Sequence, residues 1–128
     1  MDEKPVILVV DDDGPILVLM RNLLKEFGFH AVTAESGSKA IEAARTHPPA
    51  LVLLDKNMPG MPGDEVIRTL RAEPGRANLP ILILSGERMS RADVERFGAD
   101  AAVQKPFDVM SLIQQIRSFV SSDGSAQS

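Results

Sequence analysis

The sequence predicts an α/β fold: a doubly wound, five-stranded parallel sheet built as (βα)5. Three observations carry that prediction. Short apolar runs alternate with segments of helical period along the whole chain. The runs are almost unbroken in their apolarity, as strands are when helices cover the sheet on both faces. Polar residues able to do chemistry fall after four of the five runs. With right-handed crossovers such units wind into one open sheet, and ligands collect at the carboxyl ends of its strands.

The elements follow in order. "VILVV" at 6–10 is the first strand, and residues 15–27 form a helix with Ile16, Leu19, Met20, Leu23, Leu24 and Phe27 on one face and Gly28 as its stop. "AVTA" at 31–34 is the second strand, followed by a helix that Ser36 caps and that carries Ala40, Ile41 and Ala44. "ALVLL" at 50–54 is the third strand; two Pro-Gly steps break the chain, and Asp64 is expected to cap a helix with Val66, Ile67 and Leu70. "ILIL" at 81–84 and "AAV" at 101–103 are the last two strands. Their helices start at Ser90 and Asp108, the second carrying Leu112, Ile113, Ile116 and Phe119. The polar "SSDGSAQS" at 121–128 reads as a flexible tail or the start of a linker, leaving one domain over 1–120.

Composition narrows the function. A chain of 128 residues, 44% apolar and 25% charged, suits one hydrophobic core and argues against disorder. No apolar run approaches the roughly 20 residues of a membrane span, and the acidic start lacks the positive end of a signal peptide, so a cytoplasmic, membrane-free protein is expected. With no cysteine, disulfides and thiolate metal sites are out. A net charge of -4, with neither Trp nor Tyr, argues against direct nucleic-acid binding.

The chemistry gathers at one rim. The first strand delivers Asp11, Asp12 and Asp13, the third Asp55, the fourth Ser85, and the fifth Lys105 followed by Pro106. Clustered carboxylates repel one another and stay ionised only beside a cation. Oxygen donors without His or Cys point to Mg2+, with Mn2+ as the alternative. The Ser85 hydroxyl and the Lys105 ammonium would complete a set of partners for three phosphoryl oxygens. Asp55, between them, is placed as a nucleophile toward phosphorus, giving an aspartyl phosphate. Singly, each feature has a plainer meaning: an Asp after a strand is commonly a cap or turn residue, and a Lys-Pro a solvated turn. Their joint arrival at one edge is what carries the argument.

In combination, "ILVVDDD", "LVLLDKNMPGMPG", "ILILSGE" and "VQKPF" resemble the signature segments of the receiver domain of two-component response regulators, over about residues 5–120. The resemblance implies a flavodoxin-like sheet of order 2-1-3-4-5. It makes Asp55 the phosphoacceptor and gives metal-ligand roles to Asp11, Asp12, Asp55 and the backbone carbonyl of Asn57, with Asp12 direct and Asp11 acting largely through water. It gives Ser85 and Lys105 phosphoryl contacts and implies a cis bond before Pro106. The implied reaction is Mg2+-dependent transfer from a histidine kinase or histidine phosphotransfer protein. That donor would dock near the first helix and the "KPF" loop, with Ile16, Pro106 and Phe107 as candidate contacts.

A downstream protein, or a covalently linked output or kinase domain, would read the result. Such a domain catalyses only its own phosphorylation and dephosphorylation. A stand-alone regulator, a receiver cut from a hybrid kinase and one from a longer transcription factor all fit; the Met1 start favours an N-terminal or free-standing receiver, whereas the Ser/Gly tail fits a severed linker. Pro59, Gly60 and Gly63 would end the third strand sharply so that the Asn57 carbonyl turns inward. A side chain at Gly86 is expected to crowd the approach to Asp55, and the resemblance implies that Asn57 and Glu87 occupy positions that in the family line the path of hydrolytic water.

Two residues depart from the family pattern. Ala102 stands where an aromatic often swings inward, and Lys56 follows the phosphoacceptor where an apolar residue is common, which would attract anionic donors or simply reach solvent. The competing reading is a haloacid-dehalogenase-like phosphohydrolase using Asp11 as nucleophile and Asp13 as acid. It leaves Asp55 and "NMPG" unexplained and has no length for a substrate cap. A degenerate receiver acting only as a binding module is disfavoured by the intact Asp12, Asp55, Ser85 and Lys105 set.

Overall fold

The structure, a computed structural model, describes residues 4–125. Five strands alternate with five helices: β1 (Val6–Val10), α1 (Gly14–Glu26), β2 (His30–Ala34), α2 (Gly37–Thr46), β3 (Leu51–Asp55), α3 (Gly63–Ala72), β4 (Ile81–Ser85), α4 (Arg91–Phe97), β5 (Ala101–Gln104) and α5 (Val109–Ser125). All neighbouring strands pair in parallel, in the order β2-β1-β3-β4-β5. The last three residues of the predicted tail lie outside the described residues. No helix among those described is long and apolar enough to cross a membrane.

The period-2 geometry of the strands explains why their apolarity is unbroken. Leu8, Val10, Val52, Leu54, Ile81 and Ile83 point to one face, where Ala40, Ile41, Val66, Ile67 and Leu70 of α2 and α3 cover them. Ile7, Val9, Leu51, Leu53, Leu82 and Leu84 point to the other, against Leu17, Met20 and Leu24 of α1 and Leu112, Ile113 and Ile116 of α5. The central strands β3 and β4 are buried throughout, whereas β2 and β5, with one neighbour each, are mostly half-buried.

Two expectations are corrected. In α1 the inward row is Leu17, Met20 and Leu24, while Leu19 is 59% exposed. Residues 16–20 are apolar at every position, so composition there does not select a face; the sheet does. In α3, Asp64 is not the cap: the helix starts one residue earlier, behind Pro62, and no side chain caps it. Asp64 instead sits in the first turn and pairs with Arg68 at 3.3 Å, which still complements the helix dipole. The caps at Ser36 and Ser90 hold, the latter in a reciprocal capping box with Asp93. Asp108 accepts from the backbone N–H and hydroxyl of Ser111, both at 2.9 Å, at the start of α5.

Gly63 has a packing reason that the strand-ending argument did not contain. A Cβ there would lie 2.6 Å from the Phe97 ring, so the start of α3 and the end of α4 approach too closely for a side chain. Gly63→Ala is expected to destabilise the fold by about 1–3 kcal/mol through overpacking and to lower the Tm by roughly 5–10 °C in a thermal melt. An unchanged Tm would show that Phe97 yields without cost. A second clamp was not legible in the sequence: Arg71 donates to the Leu79 carbonyl at 3.1 Å and to Asp100 at 2.8 Å. Asp100 also accepts the Ile81 N–H at 2.8 Å, tying α3 and the start of β4 to the residue before β5.

Candidate functional site

Strand register brings the rim residues together. Val10 pairs with Leu54, so Asp11 follows β1 at the level where Asp55 ends β3. Asp55 pairs with Leu84, and Ser85 with Gln104, so Ser85 and then Lys105 each stand a step further along the rim. The ladder continues past the strand ends: the Lys56 N–H donates to Leu84 at 2.9 Å and the Lys105 N–H to Ser85 at 2.7 Å. This holds the backbones of β3, β4 and β5 in fixed relation at the site. The Lys105–Pro106 bond is cis, as the resemblance implied.

Asp11, Asp12 and Asp55 converge, each with a carboxylate oxygen within 4.8 Å of the others. Asp11 is 1% and Asp55 8% exposed, while Asp12 lies on the outer side. Lys105 reaches in from the far strand, its ammonium donating to Asp55 Oδ1 at 3.1 Å and Asp11 Oδ2 at 3.3 Å. Asp13 takes a different part: it is the N-cap of α1, accepting from the Ile16 N–H at 3.4 Å. Its own N–H donates to Asp11 Oδ1 at 3.0 Å, so the third acid of the triplet serves the loop.

The charges are unbalanced. Burial pushes the Asp55 carboxyl above the usual carboxylate range, and the negative charges of Asp11 and Asp12 push the same way, against the hydrogen bond and charge of Lys105. For Lys105 burial works to lower the pKa, but its bond to Asp55 and the charges of Asp11 and Asp55 outweigh it, and the ammonium ends above its ordinary value. One cation among three carboxylates leaves an acidic excess, and all the converging side-chain donors are oxygens. The donor set fits a hard divalent cation such as Mg2+.

The remaining predicted residues fall around this centre. Ser85, 1% exposed, turns its hydroxyl to the backbone of Glu87, donating to the carbonyl at 2.7 Å and accepting from the N–H at 3.0 Å. Asn57 is exposed in the loop after β3. A Cβ at Gly86 would meet nothing within 4 Å. A side chain there would thus meet no protein atom, and the expected crowding concerns only a group approaching Asp55. Ala102, at the position of the expected aromatic, is partly buried and packs against the α2/α3 core. Lys56 does not run free into solvent: its ammonium lies 3.7 Å from Glu87. That pair was missed by sequence reading, since nothing in either local pattern marks the other.

Comparison with known proteins agrees with the geometry. The sequence pattern of the response regulator receiver domain matches residues 7–117. The chain is 36% identical over 125 residues to the cell cycle transcriptional regulator CtrA of Caulobacter vibrioides, covering 95% of this chain and 53% of that protein. It is 36% identical over 117 residues to the transcriptional regulatory protein KdpE of Mycobacterium tuberculosis, covering 90% of this chain and 50% of that one. The chain thus spans about half the length of the curated relatives it matches. Among solved structures, the chemotaxis protein CheY4 of Vibrio cholerae superposes with a TM-score of 0.85 at 26% identity, covering 91% of this chain and 99% of CheY4. These matches leave the phosphohydrolase reading without support, and with the acidic rim and strand order they show that the chain belongs to the response regulator receiver domain family.

Proposed function

We propose that this receiver domain accepts a phosphoryl group on Asp55 from a phosphohistidine donor in a Mg2+-dependent reaction, and that the phosphorylated form changes its binding to a partner. The observation that carries the reading is the environment of Asp55: a buried carboxylate, flanked by two more and held by the Lys105 ammonium at 3.1 Å. In the transfer, an Asp55 oxygen bonds to phosphorus as the bond from phosphorus to the donor imidazole nitrogen breaks, and that nitrogen keeps the electron pair. Asp11, Asp12, Asp55 and the Asn57 carbonyl would hold the metal, with Mn2+ able to replace Mg2+. When bound, the ion supplies positive charge that offsets the carboxylates and the incoming phosphoryl oxygens. Lys105 sits beside Asp55 as the fixed cation for one of those oxygens, and Ser85 is the hydroxyl that turns to another.

The donor is a histidine kinase or histidine phosphotransfer protein. Relatives about twice as long are named transcriptional regulators, so a linked segment acting in transcription is one reader of the switch, and a separate protein the other. The acidic receiver itself makes no nucleic-acid contact in this reading, and its setting is the cytoplasm. Incubation with acetyl phosphate followed by intact-mass spectrometry tests the proposal. One added phosphoryl group is expected with Mg2+ and none in EDTA; no uptake under either condition would end it.

Crowding of the carboxylates has a stability consequence. Asp12 contributes repulsion to Asp55, so Asp12→Ala is expected to raise the Tm without metal by about 1–3 °C, a few tenths of a kcal/mol at an exposed position. The same variant should lose the Mg2+ stabilisation of about 2.7 kcal/mol that wild type would gain at 100 times the Kd. Melts in EDTA and in Mg2+ measure both, and a lower metal-free Tm would contradict the crowding.

A further inference from the structure

We infer that Lys56 and Glu87 form an ionic tie between the loops that follow β3 and β4, and that this tie holds the Ser85 hydroxyl on the backbone of Glu87. The tie must loosen before that hydroxyl can serve a phosphoryl group. The inference rests on the proposed phosphorylation of Asp55. It starts from three contacts of one loop. Ser85 makes both its hydrogen bonds, 2.7 Å and 3.0 Å, to the backbone of Glu87. The Glu87 carboxylate lies 3.7 Å from the ammonium of Lys56. The Lys56 backbone is pinned to β4 by its N–H bond to Leu84 at 2.9 Å. One residue therefore carries both ends of the arrangement: Glu87 occupies Ser85 with its main chain and Lys56 with its side chain.

A Cβ at Gly86, between Ser85 and Glu87, would meet nothing within 4 Å. Lys56 also lines a cavity of about 340 Å³ with Asp64, Met89, Asp93, Arg96 and Phe97, so its side chain has open space beside it. Lys56 and Glu87 are thus positioning residues: they act through Ser85 and touch no reacting atom in this scheme. Because Glu87 is 77% exposed, the tie is a weak one, and its effect on an equilibrium is about two- to fivefold.

The test is beryllofluoride affinity of the full chain in Mg2+, with beryllofluoride standing in for the phosphoryl group. Lys56→Met is the decisive variant. If Lys56 only attracted the anion, its loss would weaken binding. If it holds the tie, its loss tightens binding about two- to fivefold. Glu87→Gln is expected to tighten binding by a similar factor, and the exchange Lys56→Glu with Glu87→Lys, which rebuilds the pair in reverse, should return the affinity to that of wild type. A matched Tm for all variants confirms that folding is unchanged. Weaker or unchanged binding by Lys56→Met, or an exchanged protein that stays tight, overturns the tie while wild-type binding keeps the phosphorylation reading intact. Wild-type protein that binds no beryllofluoride overturns both.

Discussion

Asp55→Asn is expected to take up no phosphoryl group from acetyl phosphate, a loss of at least about 100-fold in incorporation, because the amide lacks the anionic oxygen that attacks phosphorus. Its shape is unchanged and its burial in the β3 rim is retained, so the fold should survive. Removing a carboxylate whose pKa is pushed up by burial and by Asp11 and Asp12 relieves repulsion, and the metal-free variant should melt no lower than wild type. Asp11→Asn is the companion experiment. Asp11 accepts from the Lys105 ammonium at 3.3 Å and is one of the proposed metal ligands, so its loss should slow uptake without moving the site of modification. If Asp11→Asn abolished incorporation while Asp55→Asn left it intact, the nucleophile would lie just after β1 and the proposed chemistry would be wrong. Intact mass and peptide mapping distinguish these results.

The parts of the fold that the sequence revealed are those set by local pattern and by rim chemistry. Ile7 to Val10 and Leu51 to Leu54 have no polar interruption, which only strands covered on both faces tolerate. Asp11 and Lys105 follow strand ends and Asp55 closes β3, at the edge where a doubly wound sheet gathers its ligands. The inward row of α1 was not legible, because an apolar residue at every position from Ile16 to Met20 fits more than one face. The cap of α3 was misread for a related reason: Asp64 is a good capping residue, but Gly63 starts the helix where Phe97 needs the space a Cβ would take. Long-range pairs were the hardest class. Lys56 meets Glu87 and Arg71 meets Asp100 only after the strands are in register, and no local spacing encodes that. The Ser85 hydroxyl belongs to the same class: its type and place were readable, but its bond to Glu87 depends on the path of the loop.

Lys105→Met should show most directly how charge balance holds the site together. Wild-type Lys105 donates to Asp55 and Asp11, and its pKa is raised above the ordinary value in the fold. Its contribution is therefore present in full below about pH 10.5, the unfolded pKa, and is lost as the pH climbs through the higher folded value. Methionine keeps much of the stem's packing but leaves two buried carboxylates facing each other. Removing one partner of a fully buried pair costs about 3–5 kcal/mol, and with the Lys105 side chain 29% exposed about 1–2 kcal/mol is expected at pH 7.5 after solvent screening. The pH dependence gives the signature. Without the ammonium, the Asp55 pKa rises further above its unfolded value, so the native state binds more protons than the unfolded state in the window just above about pH 4. Stability then falls as the pH rises through that window. The deficit of the variant should shrink toward pH 5, as a proton neutralises the site, and reach its full size at pH 7.5. Urea unfolding in EDTA at the two pH values measures it. Mg2+ should restore much of the lost stability at pH 7.5, since the ion supplies the charge that the side chain no longer does. A deficit of equal size at both pH values would mean that Lys105 contributes packing alone.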